Sequence, residues 1–376
     1  MNIVFVAGGT GGHINPAIAI AGKVQERRPD AKISFIGNRN GMESTLVPKT
    51  GYKFYPIDVA GFQRKLTLKN IKRNIDAVYK VFLSSSQSAK LLKELNPDIV
   101  VGTGGYTCGP VLRKAHKLGI KTATHEQNAF PGVTTKMLCK YVDEIMVAMP
   151  EAVSRLPENR KYTVTGNPVR ASIINTTKEQ ARRALGLDDR PMILSLGGSL
   201  GARAVNEAVA DVLAAHANTK KYYHFHAIGK YGMSFMPELI RSKGVDYENL
   251  DNLRITEYIY DMDLCMAAAD LVINRAGAST ISELQVQGKP SILIPSPNVA
   301  ENHQFFNAKT LADKGAAIIV EEKDLSTNVL TEKVLSLIED KEALAKMSKA
   351  AKSMAVVDSN DRIYDCINSL YLKNKR

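Results

Sequence analysis

The chain of 376 residues contains no tryptophan and only four cysteines, Cys108, Cys139, Cys265 and Cys366. They stand far apart and form no CxxC pair. Neither a disulfide framework nor a cysteine-built zinc site is therefore expected, and a reducing cytoplasm is the natural setting. No apolar run approaches the ~20 residues that a membrane-spanning helix needs. Met1 leads directly into the apolar run 3–7, without the basic leader and cleavage site of a signal peptide, so the chain reads as soluble and intracellular. With 26 glycines and 15 prolines it is too poor in both for a fibre, and at 44% hydrophobic residues it is too apolar for disorder. No GxxxxGK[ST] occurs, which leaves kinase or ATPase chemistry unsupported. Acidic residues are scarce in one half only. Residues 1–165 hold 12 Asp and Glu against 24 Lys and Arg, whereas residues 166–376 hold 26 of each. The whole excess of +12 thus lies in the first half. An anionic partner, whether nucleic acid, membrane surface or phosphorylated substrate, is expected to meet that half.

What is present is a repeated alternation of short apolar runs with longer helical patterns. The length suggests two domains of roughly 150–200 residues. Runs 3–7, 32–36, 99–101, 121–124 and 145–147 read as buried strands of the first half, with helices beginning near Pro16 and over 111–118. After Gly166-Asn167-Pro168 a second series begins: 192–196, 223–228, 253–256, 271–273, 291–294 and 317–320. Strands separated by helices of this length predict two doubly wound, mainly parallel α/β domains, the first over 1–165 and the second over 166–349. The stretch 342–376 reads as helix.

Three glycine clusters follow strands: Gly8-Gly9-Thr10-Gly11-Gly12, Gly102-Thr103-Gly104-Gly105 and Gly197-Gly198-Ser199-Leu200-Gly201. A glycine turn lets the backbone approach a ligand closely, and a helix N-terminus offers unbonded N–H groups and a positive dipole end. Tight helix–sheet packing explains one such loop as well as ligand binding does; three at the carboxyl ends of strands point to a ligand. A dinucleotide is a poor fit. The first loop lacks the GxGxxG register, and the second strand ends Ile36-Gly37-Asn38-Arg39 without an acid for an adenosine ribose. Arg39 suits a 2′-phosphate, so NADP is disfavoured less strongly than NAD. In Asn274-Arg275-Ala276-Gly277-Ala278-Ser279-Thr280, hydroxyls and N–H groups at a helix start can hold a diphosphate, and Glu283 one turn on can accept from two vicinal hydroxyls. A capping arrangement of Ser279 or Thr280 with Glu283 is the competing reading.

His13 directly follows the first glycine loop and is a candidate general base for a hydroxyl; a turn histidine bonding backbone is the alternative. His125-Glu126-Gln127-Asn128 places four polar residues after an apolar strand, and Glu126 is a second candidate for taking a proton. Asp261-Met262-Asp263 looks like a metal-holding DxD but stands at a helix start, where capping is the better reading. His224 and His226 lie inside a strand. No metal is expected. Residues 61–93 carry eight basic residues (Arg64, Lys65, Lys69, Lys72, Arg73, Lys80, Lys90, Lys93) and one acid, Asp76, with Ile71, Ile75, Val78 and Phe82 on one helical face. A core-facing helix with a solvated basic side and a face that docks on anionic lipid are both open. Nucleic acid is a weaker third, since no binding motif or interleaved aromatic platform accompanies the charge.

Six motifs in order, GGTGGH (8–13), HEQNAFPG (125–132), GNPVR (166–170), GGSLGAR (197–203), RAGASTISE (275–283) and NHQFFNA (302–308), resemble the MurG family of glycosyltransferase family 28. The resemblance spans nearly the whole chain. It implies a GT-B fold, two Rossmann-like domains facing across a cleft, with the tail from about 350 to 376 returning to the first. It implies inverting, metal-independent transfer of GlcNAc from UDP-GlcNAc to the C4 hydroxyl of MurNAc in lipid I (undecaprenyl-diphospho-MurNAc-pentapeptide), giving lipid II and UDP in peptidoglycan synthesis. No cofactor and no nucleic-acid partner are implied, and the protein would sit at the cytoplasmic face of the bacterial membrane, docked through 61–93. Carried over motif by motif, Thr10, Gly11, Gly12 and Asn128 would face the donor sugar. Arg170 and Ser199 would hold phosphate or uridine, and Ile259 would lie against the uracil. Ala278, Ser279, Thr280, Ile281, Ser282 and Glu283 would hold the diphosphate and ribose, and Gln304 the GlcNAc hydroxyls. Where some members carry two consecutive glutamines, this chain has His303-Gln304.

Overall fold

The computed structural model describes residues 1–59, 83–198, 200–325 and 328–375. The chain forms two compact units, one of Met1–Pro168 with Asp358–Arg376 and one of Val169–Val357. The first unit is built on strands β1 (Asn2–Val6), β2 (Lys32–Asn38), β3 (Lys53–Ile57), β4 (Ile99–Gly102), β5 (Lys121–Glu126), β6 (Glu144–Val147) and β7 (Thr163–Val164). They pair in parallel in the order β3-β2-β1-β4-β5-β6-β7. Runs such as Ile3-Val4-Phe5-Val6 are apolar throughout because both faces are covered. Ile3 and Phe5 enter one core with Ile20 and Val24 of the helix Gly11–Arg27, while Val4 and Val6 enter the other with Val111 and Leu112 of the helix Cys108–Lys117.

The second unit repeats the programme with β8 (Met192–Leu196), β9 (Tyr223–Ala227), β10 (Leu253–Thr256), β11 (Leu271–Asn274), β12 (Ser291–Leu293) and β13 (Ala317–Ile319). Their order, β10-β9-β8-β11-β12-β13, is again parallel throughout. In each sheet the order reverses beside the first strand, between β1 and β4 and between β8 and β11. In open α/β sheets this switch point is where ligands bind, outside the carboxyl ends of the strands.

Some elements differ from the sequence reading. The first helix starts at Gly11 and carries Pro16 inside it, so the Gly12 carbonyl loses its usual i+4 donor. Two edge strands escaped the pattern: β3 contains Pro56, which reads as a strand breaker, and β7 has only two residues. The tail is two helices, Lys341–Ser353 and Ser359–Lys375, broken around the β-branched pair Val356-Val357. The first belongs to the second unit. The other packs on the helix Gly11–Arg27 through Ile363, Ile367 and Leu370, with Asp361 3.0 Å from Lys23 and Arg28 donating to Asn368 at 2.9 Å.

Candidate active site

In the first unit the loop after β1 enters its helix at Thr10, whose backbone is extended and whose hydroxyl makes no capping bond. The first intrahelical bonds run from His13 and Ile14 N–H to Thr10 O, so the N–H groups of Gly11 and Gly12 precede the hydrogen-bonded turns and point out of the helix end. Thr10 and Gly12 are exposed, and His13 is half-buried. Behind them lies Glu43, 1% exposed, which accepts from Asn38 N–H at 2.9 Å and Gly9 N–H at 3.3 Å. The sequence reading had no place for Glu43. It ties the loop after β1 to the end of β2.

The loops after β4 and β5 complete the arrangement. Thr103 donates to the His13 carbonyl at 2.8 Å, and His13 Nδ1 lies 3.2 Å from Gln127 Oε1. Gly104, at φ +107, makes room for the ring: a Cβ there would stand 2.6 Å from His13 Nδ1. Gln127 Nε2 donates to the His125 carbonyl at 2.8 Å and lies 3.0 Å from His125 Nδ1, while His125 Nε2 is 3.0 Å from Gly166 O. Burial holds His125 below the ordinary imidazole range, so the ring is neutral. Glu126 sits differently from His13. One of its oxygens accepts from the N–H and side-chain amide of Asn128, both at 3.0 Å. The other accepts from Gly132 N–H at 3.0 Å and Thr135 Oγ1 at 2.5 Å. A carboxylate with four donors is a brace for its loop, and it sets Asn128 in place. The imidazole of His13, by contrast, has no partner at Nε2 among the described residues.

In the second unit the helix Ala278–Gln287 begins after β11 with Gly277 at its N-cap position. No side chain caps it, so Ser279 and Thr280 stand inside the first turn and the capping alternative does not apply. Ile281 and Ser282 are buried, and the Ser282 hydroxyl donates back to Ala278 O at 3.3 Å. Glu283, with a side chain 19% exposed, lies 3.9 Å from the more exposed Arg170 guanidinium. Burial pushes its carboxyl pKa up, against the smaller opposite pull of Arg170. The loop after β8 runs close against the turn after β9. Gly201 and Gly229 both have positive φ, and a Cβ on Gly229 would come 2.0 Å from Gly201 N. Ser199, in that loop, lies outside the described residues, as does most of the basic stretch 61–93.

Two further loops flank the same sheet edge. Gln304 Oε1 accepts from Ser296 N–H at 2.9 Å, leaving its amide nitrogen without a partner among the described residues. Glu301 and Asn302 before it are both left-handed, at φ 54 and 50, a strained pair that glycine would have relieved. Arg275 donates to Ile294 O and Pro295 O at 3.1 and 3.2 Å, and Asn307 donates to Ala276 O at 3.1 Å. These bonds lock the loops after β11 and β12 together. Ile259 is 1% exposed, so it stands in the core behind this edge and presents no open surface to a planar base. Asp261 occupies an N-cap position without capping. Its carboxylate instead forks onto Arg254 at 2.8 and 2.6 Å, which holds it below the usual carboxylate range. His224 and His226 face Ser195 Oγ at 2.7 and 2.8 Å in the core.

Comparison with known proteins places this geometry. The glycosyltransferase family 28 N-terminal domain matches residues 3–147 and the family 28 C-terminal domain matches residues 192–363. A UDP-N-acetylglucosamine--N-acetylmuramyl-(pentapeptide) pyrophosphoryl-undecaprenol N-acetylglucosamine transferase of Acetivibrio thermocellus is 41% identical over 376 residues, covering 100% of this chain and 99% of its own. The transferase of the same name from Desulfitobacterium hafniense is 43% identical over 364 residues, 96% of this chain and 97% of its own. The crystal structure of Acinetobacter baumannii MurG superposes with a TM-score of 0.77 at 30% identity, covering 98% of this chain and 99% of that one. Matching over both units, in sequence and in structure, this chain belongs to glycosyltransferase family 28 and, within it, to the MurG family of N-acetylglucosamine transferases.

Proposed function

We propose that the protein transfers GlcNAc from UDP-GlcNAc to the C4 hydroxyl of MurNAc in lipid I, with inversion and without a metal ion. The observation that carries this reading is the pair of unsealed helix starts at the two sheet switch points. One stands beside a histidine whose Nε2 has no partner among the described residues, the other beside a largely buried carboxylate. The second unit holds the donor. The first-turn N–H groups at Ala278, Ser279 and Thr280 meet the diphosphate with the positive end of the helix, which does the charge-neutralising work a divalent ion does elsewhere. Ile281 and Ser282 are buried behind that turn, the Ile281 N–H already bonded to Gly277 O at 2.9 Å, and they support it without touching the donor. Glu283 accepts from the ribose hydroxyls; Arg170, only loosely tied to it, turns to a phosphate. Ile259 backs the uracil loop from within the core, Ser199 adds a hydroxyl, and the Gln304 amide donates to a GlcNAc hydroxyl. Thr10, Gly11, Gly12 and Asn128 are the first unit's contribution to donor-sugar binding.

In the reaction the MurNAc C4 oxygen attacks the anomeric carbon of GlcNAc. The bond from that carbon to the diphosphate oxygen breaks, UDP leaves, and a β-1,4 bond forms. The hydroxyl proton passes to His13 Nε2, a step for which general-base assistance is worth a factor of about 10²–10⁴. Glu126 holds the Asn128 loop in shape. No helix among the described residues is long and apolar enough to cross a membrane. The basic and apolar stretch 61–93 supplies peripheral docking at the cytoplasmic face, where a lipid-linked acceptor resides. The test is transfer of radiolabelled GlcNAc from UDP-GlcNAc to a short-chain lipid I analogue in the presence of EDTA. Transfer is expected. Stabilisation by UDP without transfer overturns the acceptor assignment, and loss of transfer in EDTA alone overturns metal independence.

A further inference from the structure

We infer that Gln127 is a positioning residue that fixes the tautomer of His13, leaving Nε2 as the lone-pair nitrogen. The inference rests on the reading of His13 as the general base, and it follows from two backbone carbonyls. The first is Gly166 O. It only accepts, so His125 Nε2, 3.0 Å away in a buried setting, carries the proton, and the neutral ring presents a lone pair at Nδ1. The second is the His125 carbonyl. It too only accepts, so the Gln127 side-chain atom 2.8 Å from it is the amide nitrogen. That nitrogen has two hydrogens, and the second reaches His125 Nδ1 at 3.0 Å, where the first argument has already put a lone pair. The two deductions agree independently on the orientation of the amide.

The remaining Gln127 atom is the carbonyl oxygen, 3.2 Å from His13 Nδ1. An oxygen there demands a donor, so Nδ1 carries the proton and Nε2 is free to accept one. Free imidazole does not impose this choice; here it is imposed by a buried chain from His13 through Gln127 and His125 to Gly166. Its far end lies two residues before the boundary between the units, and Asn167 donates to the main-chain carbonyl of Gln127 at 3.1 Å. Gly104 and the Thr103 bond to the His13 carbonyl keep the ring in register with the amide. After proton transfer, Nδ1–H remains bonded to the same oxygen, so the imidazolium needs no rearrangement.

The test is ¹⁵N NMR on histidine-labelled wild-type protein without substrates, with the His13 signals identified by their loss in His13→Gln. The long-range couplings distinguish the two neutral tautomers. The expected result is His13 protonated at Nδ1 and His125 protonated at Nε2. A His13 protonated at Nε2 overturns the inference without touching the choice of base. Gln127→Met supplies the second measurement. It removes the acceptor, so the His13 signal shifts towards the other tautomer, and kcat falls about 10-fold or more while KM for UDP-GlcNAc stays within about twofold. An unchanged His13 tautomer in Gln127→Met overturns the positioning role. If the tautomer shifts while His13→Gln retains full kcat, the base assignment fails and the tautomer assignment stands.

Discussion

Gly104→Ala is the sharpest perturbation of the first unit. The new methyl carbon would stand 2.6 Å from His13 Nδ1 and 2.8 Å from its Cε1, where ordinary contact begins at 3.4 Å. The ring must therefore retreat by about 0.8 Å, and displacement on the order of 1 Å at a reacting group costs up to about 10²-fold in rate. The φ of +107 adds backbone strain of about 1–3 kcal/mol for any residue with a Cβ. In a domain of this size that lowers Tm by roughly 2–4 °C per kcal/mol. The expected outcome is a fall in kcat of about 10- to 100-fold with KM for UDP-GlcNAc nearly unchanged, and a Tm lower by a few degrees. Gly109→Ala is the control, since nothing lies within 4 Å of its added carbon and it sits in a helix. A Gly104→Ala enzyme with wild-type kcat, once shown to be folded, would refute the placement of His13 at the reacting hydroxyl.

Glu283→Ala removes a charged acceptor worth about 1.5–3 kcal/mol, so KM for UDP-GlcNAc should rise about 10- to 150-fold; an unchanged KM takes Glu283 off the ribose. Because burial raises its pKa, the wild-type KM should begin to climb, as pH falls, at a higher pH than an ordinary glutamate would give, and a KM profile down to pH 5 checks this. In the second unit's core His216 and His226 are held at about 4 by burial, and His224 is also held well below the usual range. Protons then favour the unfolded chain. Stability that is intact above about pH 6.5 is lost as pH falls towards 4, by roughly 3 kcal/mol for each of His216 and His226. Urea unfolding at pH 7.5 and 5 reads this directly, and equal midpoints would contradict it. Replacing Lys69, Lys72, Arg73 and Lys80 with Gln should weaken binding to anionic vesicles by up to about 1 kcal/mol per residue; undiminished binding moves the docking face elsewhere.

The alternation of short apolar runs with helical patterns predicted parallel sheets, and the glycine clusters marked where their strands end. Both are local properties, set by burial on two faces and by backbone freedom. The motif order pointed to the family because it preserves which residue types stand at which strand ends. What a side chain does there is another matter. His13 and Gln127 are 114 positions apart, Thr103 and His13 are 90 apart, and Gly9 and Glu43 are 34 apart. No periodicity reports on such pairs. His13 stood first and Glu126 second as proton acceptors on sequence; the fold then gave Glu126 four donors and left His13 Nε2 without a partner among the described residues. Asp261 read as a helix cap until Arg254, seven residues earlier, took its carboxylate. Ser279 and Thr280, read alone, favoured a cap until Gly277 occupied the cap position. The sequence alone determined the architecture and where its glycine loops stand, because those depend on hydrophobic period and glycine placement. Only the tertiary structure decided which side chains pair, because that depends on which polar atoms distant strands bring within hydrogen-bond reach of each other.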